Sequence, residues 1–96
     1  LDDAEHLAAS VDMVNRGKKQ YYAAFEAWGV DYVPSQANFI LVKTGQGRKV
    51  FNDALAKGVI LRHMDGYGLP EYVRITVGTD RENARCLEVL AELLGK

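Results

Sequence analysis

The stretch Glu71–Thr79, EYVRITVGT, decides how this chain is read. Val73, Ile75 and Val77 recur at alternate positions, the period of a strand with one buried face. Tyr72, Arg74 and Thr76 share the opposite face and place a ring, a guanidinium and a hydroxyl there. Such a face is ordinarily solvated decoration. It also has the chemistry of an anion site, because a planar fork of five donors suits carboxylate or phosphate. The rest of the chain has to separate the two readings.

Downstream, Thr79-Asp80-Arg81-Glu82 has the form of a capping box, with the Thr79 hydroxyl facing the amide of Glu82 and the Glu82 carboxylate facing the amide of Thr79. The spacing predicts a helix over Asp80–Leu94, with Ala84, Leu87, Leu90, Leu93 and Leu94 inward and Gly95 closing it. Cys86 borders that stripe and reads as a small buried hydrophobe. Upstream, Asp65–Pro70 is a loop of turn-forming residues, preceded by a second strand, Val59–His63, in which Ile60 and Arg62 oppose Val59, Leu61 and His63. A helix over Arg48–Lys57 turns Val50, Phe51, Ala54 and Leu55 inward and stops at Gly58. Thr44–Gly47 is a turn, Asn38–Lys43 a strand, and Val30–Ala37 a connector broken by Pro34 and Ser35.

Residues 4–28 carry one apolar stripe, Leu7, Val11, Val14, Tyr21, Phe25 and Trp28, on a long helix. Asp2 and Asp3 are N-cap candidates and Gly29 the stop. Gly17 is a weak point in that helix, worth up to about 1 kcal/mol relative to Ala. The order is α-β-α-β-β-α: an α/β (α+β) fold with a small sheet of about three strands. Its helices pack on one face and the other face is free. The last two strands are antiparallel neighbours. The first two are parallel if adjacent, or antiparallel by another path.

Length and composition bound the answer. Ninety-six residues, 48% hydrophobic and 26% charged, make a single domain over 1–96. A net charge of −1 without a basic run offers no phosphate-backbone footprint, so no nucleic acid is expected. No apolar run of about 18 residues is present, so no membrane span is expected. LDDAEH lacks the pattern of a signal peptide, and a lone cysteine fits a reducing compartment, together pointing to the cytoplasm. The chain starts without Met, and the expectation is a piece of a larger protein. His6 and His63 share no metal-ligand spacing, and no metal is expected. Ser10 and Ser35 have no placed His–Asp partners, and Gly45-Gln46-Gly47 lacks the lysine and third glycine of a phosphate loop. No complete catalytic set is present.

What remains is Arg62 in VILRH and Arg74 in YVRITV, joined by residues 63–73. On the same side of adjacent strands, two guanidiniums would converge, which is costly unless an anion or a carboxylate pairs with them. The competing reading is an ordinary salt bridge from either arginine to Asp65 or Glu71.

The segments SQANFILVK and GVILRHMDGYGLPEYVRITVGTDREN resemble the C-terminal small domain of histidinol-phosphate aminotransferases, within the class I/II, fold-type I enzymes that use pyridoxal phosphate. The likeness spans nearly the whole chain, and its most specific part is R-I-T-V-G-T-x-x-E-N. His63 departs from it, since proline commonly follows the arginine there.

The resemblance implies a transaminase of histidine biosynthesis, with glutamate as amino donor and a homodimer when full length. It implies that Arg74 binds the substrate α-carboxylate, or a phosphate at that position, and that Arg62 takes part in phosphate recognition. Asn38 has a supporting role, and Tyr67 and Gly68 belong to a loop near the substrate. Pyridoxal 5'-phosphate would be held by a large domain of the same chain, through a lysine that none of Lys18, Lys19, Lys43, Lys49, Lys57 and Lys96 matches. No catalytic or cofactor-binding residue is expected within these residues, and alone they would be inactive. The alternatives are a related enzyme, such as threonine-phosphate decarboxylase or an aromatic aminotransferase, and a free-standing module binding a small anion.

Overall fold

The computed structural model describes residues 3–35 and 37–96, without the side chains of Asp3, His6 and Leu7. Asp2 and the side chains of Asp3, Leu7 and His6 therefore lie outside what is described, and with them the expected caps and that position of the stripe. Helix α1 is continuous over Asp3–Trp28. Tyr21 and Phe25 of its stripe are fully buried, Val14 and Trp28 half-buried, and Val11 is 52% exposed. The stripe loses its cover toward the N-terminus because a helix of this length, about 39 Å at 1.5 Å per residue, matches the long axis of the molecule. That axis measures 43 Å against 26 and 25 Å for the others.

Helix α1 runs through Gly17 without a break. This residue is buried where the helix crosses the end of the sheet: a Cβ there would meet Val77 Cγ1 and, at 2.6 Å, Asn83 Nδ2. The glycine that looked like a propensity defect is the point of closest approach.

Among the described residues four strands form one sheet in the order β1-β2-β4-β3, with every neighbouring pair antiparallel. They are β1 (Tyr32–Val33), β2 (Phe39–Lys43), β3 (Arg62–Met64) and β4 (Leu69–Thr76). The expected count of three omitted β1, which falls inside the stretch read as a connector. Two residues are too few to show alternation, and they are strand by partnership: Tyr32 pairs Val42, its ring stacks on Tyr22 at 4.9 Å, and its hydroxyl donates to Glu26 Oε1 at 2.9 Å. Between β2 and β3 runs α2 (Gly47–Ala56). These two strands are parallel to each other without touching, because β4 lies between them.

The second strand also begins later than expected. Val59 and Leu61 are buried and Ile60 is 80% exposed, so the alternation is real. It records burial rather than pairing: the Val59 amide donates to Ala54 O at 2.9 Å, and the β4 register opens only at Arg62. β4 starts earlier than expected, at Leu69, because a 3-10 turn over Asp65–Tyr67 closes the hairpin tightly at Gly68. A register shift between His63 and Met64 absorbs the mismatch.

Helix α3 (Asp80–Leu94) carries the expected capping box, with Thr79 Oγ1 accepting from the Glu82 amide at 3.2 Å and Glu82 Oε1 accepting from the Thr79 amide at 2.9 Å. Its buried face differs from the expected one: Asn83, Cys86, Val89 and Leu90 are buried, Leu87, Leu93 and Leu94 are half-buried, and Ala84 is exposed. Similarly in α2, Val50 and Ala54 are buried while Leu55 is exposed. All three helices contribute to a core on one sheet face, against Ile40, Val42, Val73, Ile75 and Val77. The face opposite carries the arginines.

Candidate anion site on the open sheet face

Residue alternation on β2 and β4 sends Phe39, Leu41 and Lys43, and Tyr72, Arg74 and Thr76, to the open face. The cross-strand pairs are Phe39 with Thr76, Leu41 with Arg74, and Lys43 with Tyr72. On the other side of β4, Arg62 pairs directly with Arg74. Leu41, Arg74 and Arg62 therefore make one row across the sheet, and the register makes the two arginines cross-strand neighbours on one face.

The competing salt bridges do not form. Asp65 Oδ2 accepts from Arg48 Nε at 2.9 Å and lies 3.9 Å from His63 Nδ1, while Glu71 lies 4.0 Å from Lys43 Nζ. Among the described residues no carboxylate pairs with Arg62 or Arg74. Arg74 is half-buried, and its Nε is enclosed without a hydrogen-bond partner among those residues. A buried donor on a charged group left in this state is costly. One face of the guanidinium is covered: its Cζ stands 5.2 Å from the centroid of the Phe39 ring. Phe39 escaped the sequence reading because only the β2–β4 register places it diagonally beside Arg74.

The other expected site residues are placed apart. Asn38 precedes β2, lines a recess beside Val14 and Lys18 of α1, and accepts the Val77 amide through its carbonyl at 2.7 Å. It steadies the end of β4 from behind the arginine row. Tyr67, on the 3-10 turn, is 71% exposed. Elsewhere, burial pushes the Tyr21 phenol and the Cys86 thiol up, so both stay protonated and inert at neutral pH.

The described lysines do not fit pyridoxal phosphate. All are half-buried or exposed, and four are engaged: Lys18 with Ser35 O at 3.1 Å, Lys43 near Glu71, Lys49 with Asp53 at 2.6 Å and Lys57 with Glu92 at 2.9 Å. None stands in an enclosed cleft with an acid and a phosphate cradle, so no step of cofactor chemistry is assigned to this chain. Its resource is the arginine row.

A sheet with helices on one face and an arginine row without a carboxylate partner on the other has the chemistry to take an anion. The model of the family described as aminotransferase class I and II matches residues 1–90, and the chain belongs to that family. It is 54% identical over 94 residues to a histidinol-phosphate aminotransferase of Akkermansia muciniphila, covering 98% of this chain and 26% of that protein. It is 48% identical to histidinol-phosphate aminotransferase 1 of Nitrosococcus oceani, over 98% of this chain and 26% of that protein. The chain thus spans about a quarter of the length of these relatives. The crystal structure of the histidinol-phosphate aminotransferase from Clostridium acetobutylicum shares the fold, with a TM-score of 0.86 at 19% identity over 98% of this chain and 30% of that one.

Proposed function

We propose that this chain is the substrate-anion-binding domain of a pyridoxal-phosphate-dependent aminotransferase acting on histidinol phosphate. In this reading glutamate is the amino donor, and imidazole acetol phosphate and 2-oxoglutarate are the keto partners, in histidine biosynthesis. The observation that carries the reading is the Arg62–Arg74 row, two cations with no acid beside them among the described residues, one with an enclosed unpaired Nε. The relatives named above support the choice of substrate. A large domain of the same longer chain would hold the cofactor, and the full protein would act as a homodimer in the cytoplasm.

The chemistry assigned to this chain is positioning. Arg74 would donate from the edge of its fork to the substrate α-carboxylate, or to a phosphate. Arg62 would add a second cation for the phosphate. Fixing the anionic end holds the amino-bearing carbon in one orientation toward the reacting groups of the large domain. Each charge-assisted hydrogen bond lost is worth about 1.5–3 kcal/mol. Asn38 supports the site through the backbone that anchors β4.

The test is the visible spectrum of the full-length protein with pyridoxal phosphate, followed on adding glutamate and, separately, histidinol phosphate. Conversion of the cofactor by both compounds is the expected result. Conversion by glutamate alone would keep a transaminase and remove this substrate, and no cofactor spectrum at all would remove the enzyme reading.

A further inference from the structure

We infer that Phe39 is a positioning residue for Arg74, a role that rests on the reading of the arginine row as an anion site. Arg62 and Arg74 are directly opposed in the β3–β4 register, an arrangement that like charges disfavour. Phe39 lies on β2, across β4 from Arg62, since the strand order is β1-β2-β4-β3. The Arg74 guanidinium carbon stands 5.2 Å from the Phe39 centroid, within the range in which the negative ring face attracts a cation.

The ring therefore draws the guanidinium toward β2, on the side away from Arg62. Leu41, directly opposite Arg74, brings no polar group to compete. Nε is enclosed without a partner, and no described carboxylate forms an ion pair with the guanidinium, so its Nη edge is left for an incoming anion. Phe39 thus does two things at once. It holds apart two cations that would otherwise repel, and it presents Arg74 by one edge only.

The decisive substitution keeps the shape and changes the electronics. Phe39→pentafluorophenylalanine preserves the packing of the half-buried ring and reverses its quadrupole. It is made in the full-length protein saturated with pyridoxal phosphate, and the affinity for inorganic phosphate is measured by titration. The fluorinated protein should bind phosphate about 3- to 10-fold more weakly, whereas Phe39→Trp, which restores a ring face, should stay within about twofold.

In an Arg74→Ala background, fluorination should have no further effect. Equal phosphate affinity for the fluorinated and parent proteins, with Arg74→Ala still impaired, would overturn the positioning role and leave the anion site standing. Phosphate affinity unchanged by Arg74→Ala would overturn both.

Discussion

Arg62 and Arg74 face each other across the β3–β4 register, on the sheet face that none of the described helices covers. The acids nearest in sequence are engaged elsewhere, Asp65 by Arg48 and Glu71 by Lys43. A fold that needed these cations only for stability would have paired them. In the proposed reading function and stability pull in opposite directions here, and that opposition can be measured.

Replacing Arg62 by Leu removes the like-charge opposition. We predict that stability in denaturant unfolding stays level or rises by about 0.2–1 kcal/mol, while affinity for inorganic phosphate falls. A parallel loss of both would show Arg62 to be structural.

Arg74→Ala in the full-length enzyme should lower kcat/KM for glutamate and for histidinol phosphate by roughly 10- to 100-fold, the value of one lost charge-assisted bond. Cofactor binding should be unchanged, because in the proposed reading a large domain of the longer chain holds the cofactor. Arg74→Lys should recover little, since a point charge cannot reproduce the fork. Steady-state kinetics with each substrate check this, and unimpaired rates would sink the assignment.

Gly17→Ala should destabilise. On an exposed helix the change favours the helix by up to about 1 kcal/mol, but here the new Cβ runs into Val77 and Asn83. Overpacking of that kind costs about 1–3 kcal/mol, so a net loss is expected in the denaturant midpoint. A gain would mean that α1 can lift off the sheet end freely.

Asn83 is fully buried and clasps one peptide: its Oδ1 accepts from the Gly78 amide at 2.9 Å and its Nδ2 donates to Gly78 O at 3.1 Å. Asn83→Ala orphans both groups and should cost about 2–3 kcal/mol. Thermal unfolding reads the loss, and a change within error would show that water replaces the side chain.

The capping box predicts a pH dependence. The hydrogen bond from the Thr79 amide holds the Glu82 carboxyl below its ordinary value. A carboxylate lowered by folding binds fewer protons folded than unfolded. Its contribution is therefore full above the ordinary range near about pH 4.3, and it is lost as pH falls through the lower folded value. Glu82→Gln keeps an acceptor for Thr79 without titrating. Its melting temperature should fall less steeply than that of the parent through this window, and identical slopes would refute the linkage.

The sequence by itself determined the local features. The alternation around Arg74, the capping box at Thr79–Glu82 and the left-handed stops at Gly29 and Gly95 each depend on a few consecutive residues, and each is present. The two arginines were legible as candidates for the same reason, since a strand sets faces by parity. Tertiary structure decided everything that requires a partner strand. β1 exists only because Tyr32 and Val33 meet β2, Val59–Leu61 alternate without pairing, and β4 comes between two strands whose adjacency the chain order left open. Phe39 comes to lie beside Arg74, and Gly17 against Asn83, for the same physical reason. Register and close approach are set by hydrogen bonds and packing between distant segments, and no local period encodes them.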